Sequence, residues 1–258
     1  MATLELRPRT ATEIIDASFQ LLRNNYVPLV TLSVAAQLPV LAFRIIFLRF
    51  PMGANATPEE VMRALSSYGL LMFGLIILLV VAQNTVMVAA SQIYLGEPMD
   101  AGASVRRSVG RFLWLVGSSI LVLPIVMLAF LLFIIPGIYV GCRLIPLTTV
   151  VLLEDRGPWE SIRRTWALGG GRVWHIFVAS FFGGLIYFAI ALVGTLLITA
   201  LAMMLPVIKD PNVDAVFSTA IGALAYPMIV VVSVVLYYDL RIRHEGFDVE
   251  QMSKSLAT

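Results

Sequence analysis

Cysteine is nearly missing from this chain: among 258 residues only Cys142 carries a thiol. A single thiol excludes an intrachain disulfide, a thiolate metal cluster and a CxxC redox centre. Histidine is almost as scarce, with His175 and His244 alone, and neither stands at a metal-ligand spacing. Charge is thin as well. Only 13% of the residues are charged, against about a quarter in an average soluble domain, while 59% are hydrophobic. A water-facing globular surface cannot be covered with that supply. The net charge of +2 is too small to recruit nucleic acid, and the aromatic residues sit among aliphatic runs rather than between basic ones. No glycine-rich phosphate loop or nucleophile elbow occurs, Glu59-Glu60 read as helix-start acids, and Gly169-Gly170-Gly171 read as a bend between helices. The expectation is a noncatalytic chain without metal or cofactor. Glu13, Asp16, Gln20 and Arg23 interrupt the N-terminal region before its first long apolar run, so no cleaved signal peptide is expected.

Long apolar runs are what the chain has in abundance. A bilayer core takes about 20 helical residues, and that length picks out six spans, at about 26–48, 68–93, 112–135, 138–153, 173–205 and 216–238. Prolines 28, 39, 124, 146 and 227 fall inside spans, where they read as kinks. Pro136-Gly137 reads as the tight reversal between the third and fourth spans. The fold class is therefore an all-α membrane protein forming one polytopic domain over residues 1–258.

Charge then orients the spans. With the N-terminus inside, the cytoplasmic side receives Arg7, Arg9, Arg23, Arg106, Arg107, Arg111, Arg156, Arg163, Arg164, Arg172, Arg241, Arg243 and Lys254, and the outside only Arg49, Arg63 and Lys209. That asymmetry is the positive-inside pattern and places both termini in the cytoplasm. It also supports the short fourth span, without which Arg156 to Arg172 would move outside.

The basic residues gather in islands, and two of them repeat. Ser104-Val105-Arg106-Arg107-Ser108 returns as Ser161-Ile162-Arg163-Arg164-Thr165, each followed by a further arginine, a tryptophan and an apolar stretch. The islands read as interfacial amphipathic helices at about 10–24, 100–110 and 158–168. The first starts with Thr10 and Glu13 in capping-box spacing, and Thr57, Pro58 and Glu60 give a similar start before the second span. Ile15 and Phe19, Val105 and Val109, and Ile162 and Trp166 are four apart and read as the apolar face of a helix half buried at headgroup level, with arginines opposite. Three units result, each an interfacial helix followed by a transmembrane hairpin, all entering from the same side.

Several side chains are candidates for function. Arg106, Arg107, Arg163, Arg164 and Arg172 are placed to meet phosphates of anionic inner-leaflet lipids or a protein partner, or to act only as topology determinants. Arg44 and Arg143 lie in spans toward the outer leaflet, where they either bound a pocket for an anionic headgroup or snorkel to the interface. Asp16, Asp239 and Arg241 sit near the inner interface as expected structural ion pairs, with Arg107 and Arg164 as further partners. Gln37, Gln83 and Asn84 are uncharged polar groups inside spans, serving interhelical hydrogen bonds or a transport path.

Leu6-Arg7-Pro8, Ile14-Ile15-Asp16, Pro136-Gly137-Ile138-Tyr139, Ser161 to Trp166, Gly171-Arg172 with Trp174, and Tyr237-Tyr238-Asp239-Leu240-Arg241 together form a bacterial pattern. It resembles the glycerophosphoryl diester phosphodiesterase membrane-domain family over nearly the whole chain. The resemblance implies a six-helix membrane region, sometimes joined to a soluble phosphodiesterase and often standing alone without assigned activity. Nothing here matches the metal-binding acids and histidines of the catalytic domain, so the enzymatic name does not transfer. The expected protein is a noncatalytic component of the bacterial cytoplasmic membrane, meeting lipids or a cytoplasmic or membrane protein partner. Two alternatives are a transporter or channel for a small or lipid-like solute, and the membrane subunit of a phosphodiesterase system.

Overall fold

The computed structural model describes residues 7–47, 57–205 and 210–246. Leu6, Leu48, Arg49, Lys209 and Lys254, named above, lie outside them. Helices make up the described structure: α1 (Ala11–Asn24), α2 (Tyr26–Phe47), α3 (Pro58–Tyr94), α4 (Ala101–Leu132), α5 (Ile134–Leu144), α6 (Leu147–Leu153), α7 (Pro158–Leu168), α8 (Val173–Met204) and α9 (Pro211–Glu245). Six stretches are long and apolar enough to cross a membrane: α2, Leu65–Tyr94 of α3, α4, the α5–α6 pair over Ile134–Leu153, α8 and α9.

Helix α9 is the central element. Every residue from Val234 to Leu240 is buried, and a helix apolar on all sides is stable only when enclosed. Side-chain contacts fix how its neighbours run. Tyr226 donates to the Gln83 carbonyl and the Tyr238 hydroxyl meets Ser91 Oγ at 2.7 Å, so α3 runs parallel to α9. Arg44 reaches Ser218 near the start of α9, whereas His175 at the start of α8 meets Asp239 near its end, so α2 and α8 are antiparallel to it. Helix α8 packs close where Gly183 and Gly194 face Val232 and Ile221, and leaves Phe188, Val193, Leu196 and Leu197 exposed. Such outward apolar surface suits lipid and no other solvent.

Several helix starts follow local chemistry. Thr10 caps α1 and Thr57 caps α3, each hydroxyl accepting from the backbone N–H of the glutamate three residues on, while that carboxylate accepts from the cap residue's own N–H. Two expected breaks lie elsewhere. The stretch 100–110 is not a separate interfacial helix but the first turns of α4, which runs without interruption into the third span. The reversal between α4 and α5 occurs at Phe133, extended at φ −163° and ψ 153°, three residues before the expected Pro136-Gly137. Pro136 sits in the first turn of α5, where its missing N–H costs nothing. Gly137 serves packing instead of the turn, since a Cβ there would run into the Phe130 ring. Pro146 separates α5 from α6, and Gly171, at φ 70°, makes the bend from α7 into α8 that other residues adopt only with strain.

Candidate functional site

The helix ends around the C-terminal half of α9 hold most of the charge described, and arginines bind them together. Asp239 is 1% exposed and accepts three hydrogen bonds: from the Arg9 backbone N–H at 2.6 Å, His175 Nε2 at 2.9 Å and Arg243 Nε at 2.9 Å. Arg243 also donates to the Arg9 carbonyl, so both backbone groups of Arg9 are held before α1 begins. Glu154, at the end of α6, is a second node. It accepts from Arg156 Nε at 2.8 Å, from Arg164 Nε at 3.0 Å and from the Tyr237 hydroxyl at 3.1 Å. Arg164 continues to Glu245, which also pairs with Arg241 at 3.2 Å. A buried carboxylate is tolerable only when paired and hydrogen-bonded in this manner.

Other arginines close helix C-termini, whose last carbonyls lack intrahelical donors. Arg107 donates to Leu152 and Leu153 carbonyls at 2.6 and 2.8 Å, at the end of α6. Arg143 donates to the Trp166 carbonyl in the last turn of α7 at 2.9 Å, and its guanidinium lies 4.0 Å from the Trp166 ring centroid. Arg172 reaches the Arg243 carbonyl at the end of α9 at 3.4 Å.

The two copies of the repeat are alike here. In each, the second arginine is committed to the protein, Arg107 to α6 and Arg164 to Glu154 and Glu245, while the first, Arg106 or Arg163, is exposed. No hydrogen bond or ion pair is found for either exposed guanidinium among the described residues. The hydroxyls between them are buried: Ser104, Ser108, Ser161 and Thr165 are all 0% exposed. Most of the expected apolar stripe faces away from the helix bundle. Val105, Val109, Phe19 and Trp166 are exposed, Ile162 is buried, and α1 buries Ile14, Ala17, Ser18 and Leu21.

The remaining candidates also move. Arg44 and Arg143 are not brought together, because Arg44 binds Ser218 whereas Arg143 packs on Gly169 and Ile176's neighbourhood beside α7. Ser218 and Asp239 mark opposite ends of α9, about 30 Å apart at 1.5 Å per residue, and Arg143 belongs to the Asp239 end. Asp16 is exposed and makes no ion pair among the described residues. Asp239 pairs with His175 and Arg243 in place of Arg107, Arg164 or Arg241. Sequence reading missed Glu154, His175 and the Arg9 peptide. The four-residue step from Asp239 to Arg243 is a helical pairing signal, but nothing local announces His175. Asn84 bonds its own helix at the Val80 carbonyl, and Gln37 is buried beside α9 near Gly222.

A cleft of about 860 Å³ opens between the end of α3 and the first half of α4. Arg106, Arg107 and Arg111 line it together with Glu97, Gln92, Gly110, Trp114 and apolar side chains of both helices. Among the described residues no group of three or more His, Cys, Asp or Glu side chains is placed to hold a metal. Six helices long and apolar enough to cross a membrane define the class, a multi-pass membrane protein. No family model, curated protein or solved structure matches the chain.

Proposed function

We propose that this chain is a noncatalytic multi-pass protein of the bacterial cytoplasmic membrane, with its arginine-rich end in the cytoplasm and its exposed arginines on the phosphates of anionic lipids. The observation that carries the reading is the division of labour within the repeat. Arg107 and Arg164 are spent on helix ends and carboxylates, whereas Arg106 and Arg163 face outward from the same position of each copy. An exposed guanidinium beside a bilayer gains about 1 kcal/mol from an anionic surface. Orientation follows from the same residues through the positive-inside rule, and the helices pack as three hairpins, with α1, the start of α4 and α7 at the inner interface.

The test uses the full chain in nanodiscs of mixed phosphatidylglycerol and phosphatidylcholine. Arg106→Gln with Arg163→Gln should lower phosphatidylglycerol enrichment around the protein and leave thermal stability unchanged, because surface positions of this kind shift stability by no more than about 0.5 kcal/mol. Undiminished enrichment would overturn the lipid reading. A cysteine introduced at Arg163 should label from the cytoplasmic face only, and labelling from outside would overturn the orientation.

A further inference from the structure

The cleft between α3 and α4 has a wall that a general attraction to anionic lipid does not require. Arg107 and Arg111 stand one helical turn apart on α4, and Arg106 stands beside them, so three arginines line one cavity whose lining carries a single carboxylate, Glu97. Asp155 engages Arg111 and lies 3.6 Å from Arg107, which leaves Arg106 as the cation of the three without a partner among the described residues. The other wall mixes Val88 and Leu95 with Ser91 and Gln92, and Leu153 and Tyr238 complete the lining. Val88 and Trp114 lie deeper along the two helices, and α4 beyond them turns exposed side chains outward, with Ile120 at 65% and Leu123 at 61% exposure. A volume of about 860 Å³ falls within the range of small-molecule sites, about 300–1,000 Å³.

We propose that this cleft holds one anionic phospholipid, its phosphate on Arg106 beside Arg107 and Arg111 and its acyl chains leaving past Val88 and Trp114 into the bilayer. The proposal rests on the lipid reading above and narrows it to a single site. Charge at the mouth calls for an anion, and the apolar continuation between two membrane-crossing helices calls for an amphiphile, with tryptophan at the level where headgroup meets chain. Free phosphate satisfies only the first of these demands.

Gly110 supplies a probe that leaves charge untouched. It lines the cleft, and a Cβ built on it meets nothing within 4 Å, so Gly110→Leu starts from open space and narrows the cavity with an apolar side chain. Delipidated full-length protein is titrated with phosphatidylglycerol, with phosphatidylcholine and with inorganic phosphate, and bound lipid is counted by native mass spectrometry. The wild type should retain one phosphatidylglycerol in preference to phosphatidylcholine. Arg106→Gln should weaken it about fivefold, Gly110→Leu should remove it, and Arg163→Gln, outside the cleft, should leave it in place. Loss in both arginine variants with retention in Gly110→Leu overturns the cleft while the general lipid reading stands. Retention in all three overturns both. Displacement of the lipid by inorganic phosphate alone assigns the cleft to a free anion and overturns the amphiphile.

Discussion

Replacing Asp239 by alanine should loosen α1 against the bundle while α9 stays folded. The carboxylate is 1% exposed and holds the Arg9 N–H at 2.6 Å, with His175 and Arg243 each at 2.9 Å. Single hydrogen bonds to a charged group contribute about 1.5–3 kcal/mol, but three bonds sharing one carboxylate do not add. Removing one partner of a buried ionic cluster costs about 3–5 kcal/mol, because Arg243 is left without its charge partner. If that loss falls on the opening of α1, exchange of its amides accelerates by about a hundredfold to a few thousandfold. Helix α1 would still bury Ile14 and Leu21, so it loosens without detaching. The assay is hydrogen–deuterium exchange by mass spectrometry on peptides covering Thr10 to Asn25, in the same lipid nanodisc for each variant. Asp239→Asn keeps an acceptor for the Arg9 N–H but no charge for Arg243, and its effect should lie between wild type and alanine. Exchange in Asp239→Ala indistinguishable from wild type would refute the reasoning and leave the apolar face as the only hold on α1.

Two neighbouring glycines should respond in opposite directions. A Cβ on Gly183 would lie 2.8 Å from Val232 Cγ1, so Gly183→Ala should cost about 1–3 kcal/mol, while Gly184 has nothing within 4 Å and Gly184→Ala should gain up to about 1 kcal/mol in helix propensity. Thermal denaturation of both variants in one detergent decides it, and shifts of the same sign would refute the packing argument. Glu13 predicts a pH effect. The Thr10 backbone N–H, then the Arg7 guanidinium, lowers its carboxyl from 4.5 to about 2, so its support for the α1 start is complete above pH 4.5 and fades as pH falls toward 2. The stability difference between wild type and Glu13→Gln should shrink across that window, and a constant difference would count against the capping role.

Length and composition alone place the six long helices, because bilayer thickness sets a ruler that applolar runs either meet or miss. Both capping boxes are equally local, since a hydroxyl and a carboxylate three residues apart close the same backbone gap wherever they occur. Breaks were less legible. Pro136-Gly137 carries the strongest turn chemistry near the end of the third span, yet the chain reverses at Phe133, where the tight approach of Gly137 to Phe130 demands it. The break is set by packing between two helices, and dipeptide chemistry does not contain that. Arg143 shows the same limit. Its position along the fourth span points outward, but α7 folds back against α5 and offers both a free carbonyl and the Trp166 ring.

The repeat packs through its hydroxyls, and the solvent explains why. In water a helix buries its branched aliphatics and exposes its hydroxyls, and that rule would place Val105 and Val109 inside. Lipid removes the difference, since an acyl chain accommodates valine as readily as another side chain does, and association then favours whatever lets backbones approach. Serine and threonine satisfy that demand: Ser104 bonds back to the Asp100 carbonyl at 2.8 Å and Thr165 to the Ser161 carbonyl at 2.8 Å, while the buried Ser108 and Ser161 hydroxyls have no hydrogen-bond partner among the described residues. The pair of hydroxyls four residues apart is thus the packing face of each copy, and Val105 and Val109 turn away from the bundle. Between them the helical angle puts the second arginine at the edge of the packed face and the first beyond it. That geometry gives Arg107 and Arg164 their partners in the protein and leaves Arg106 and Arg163 outside it.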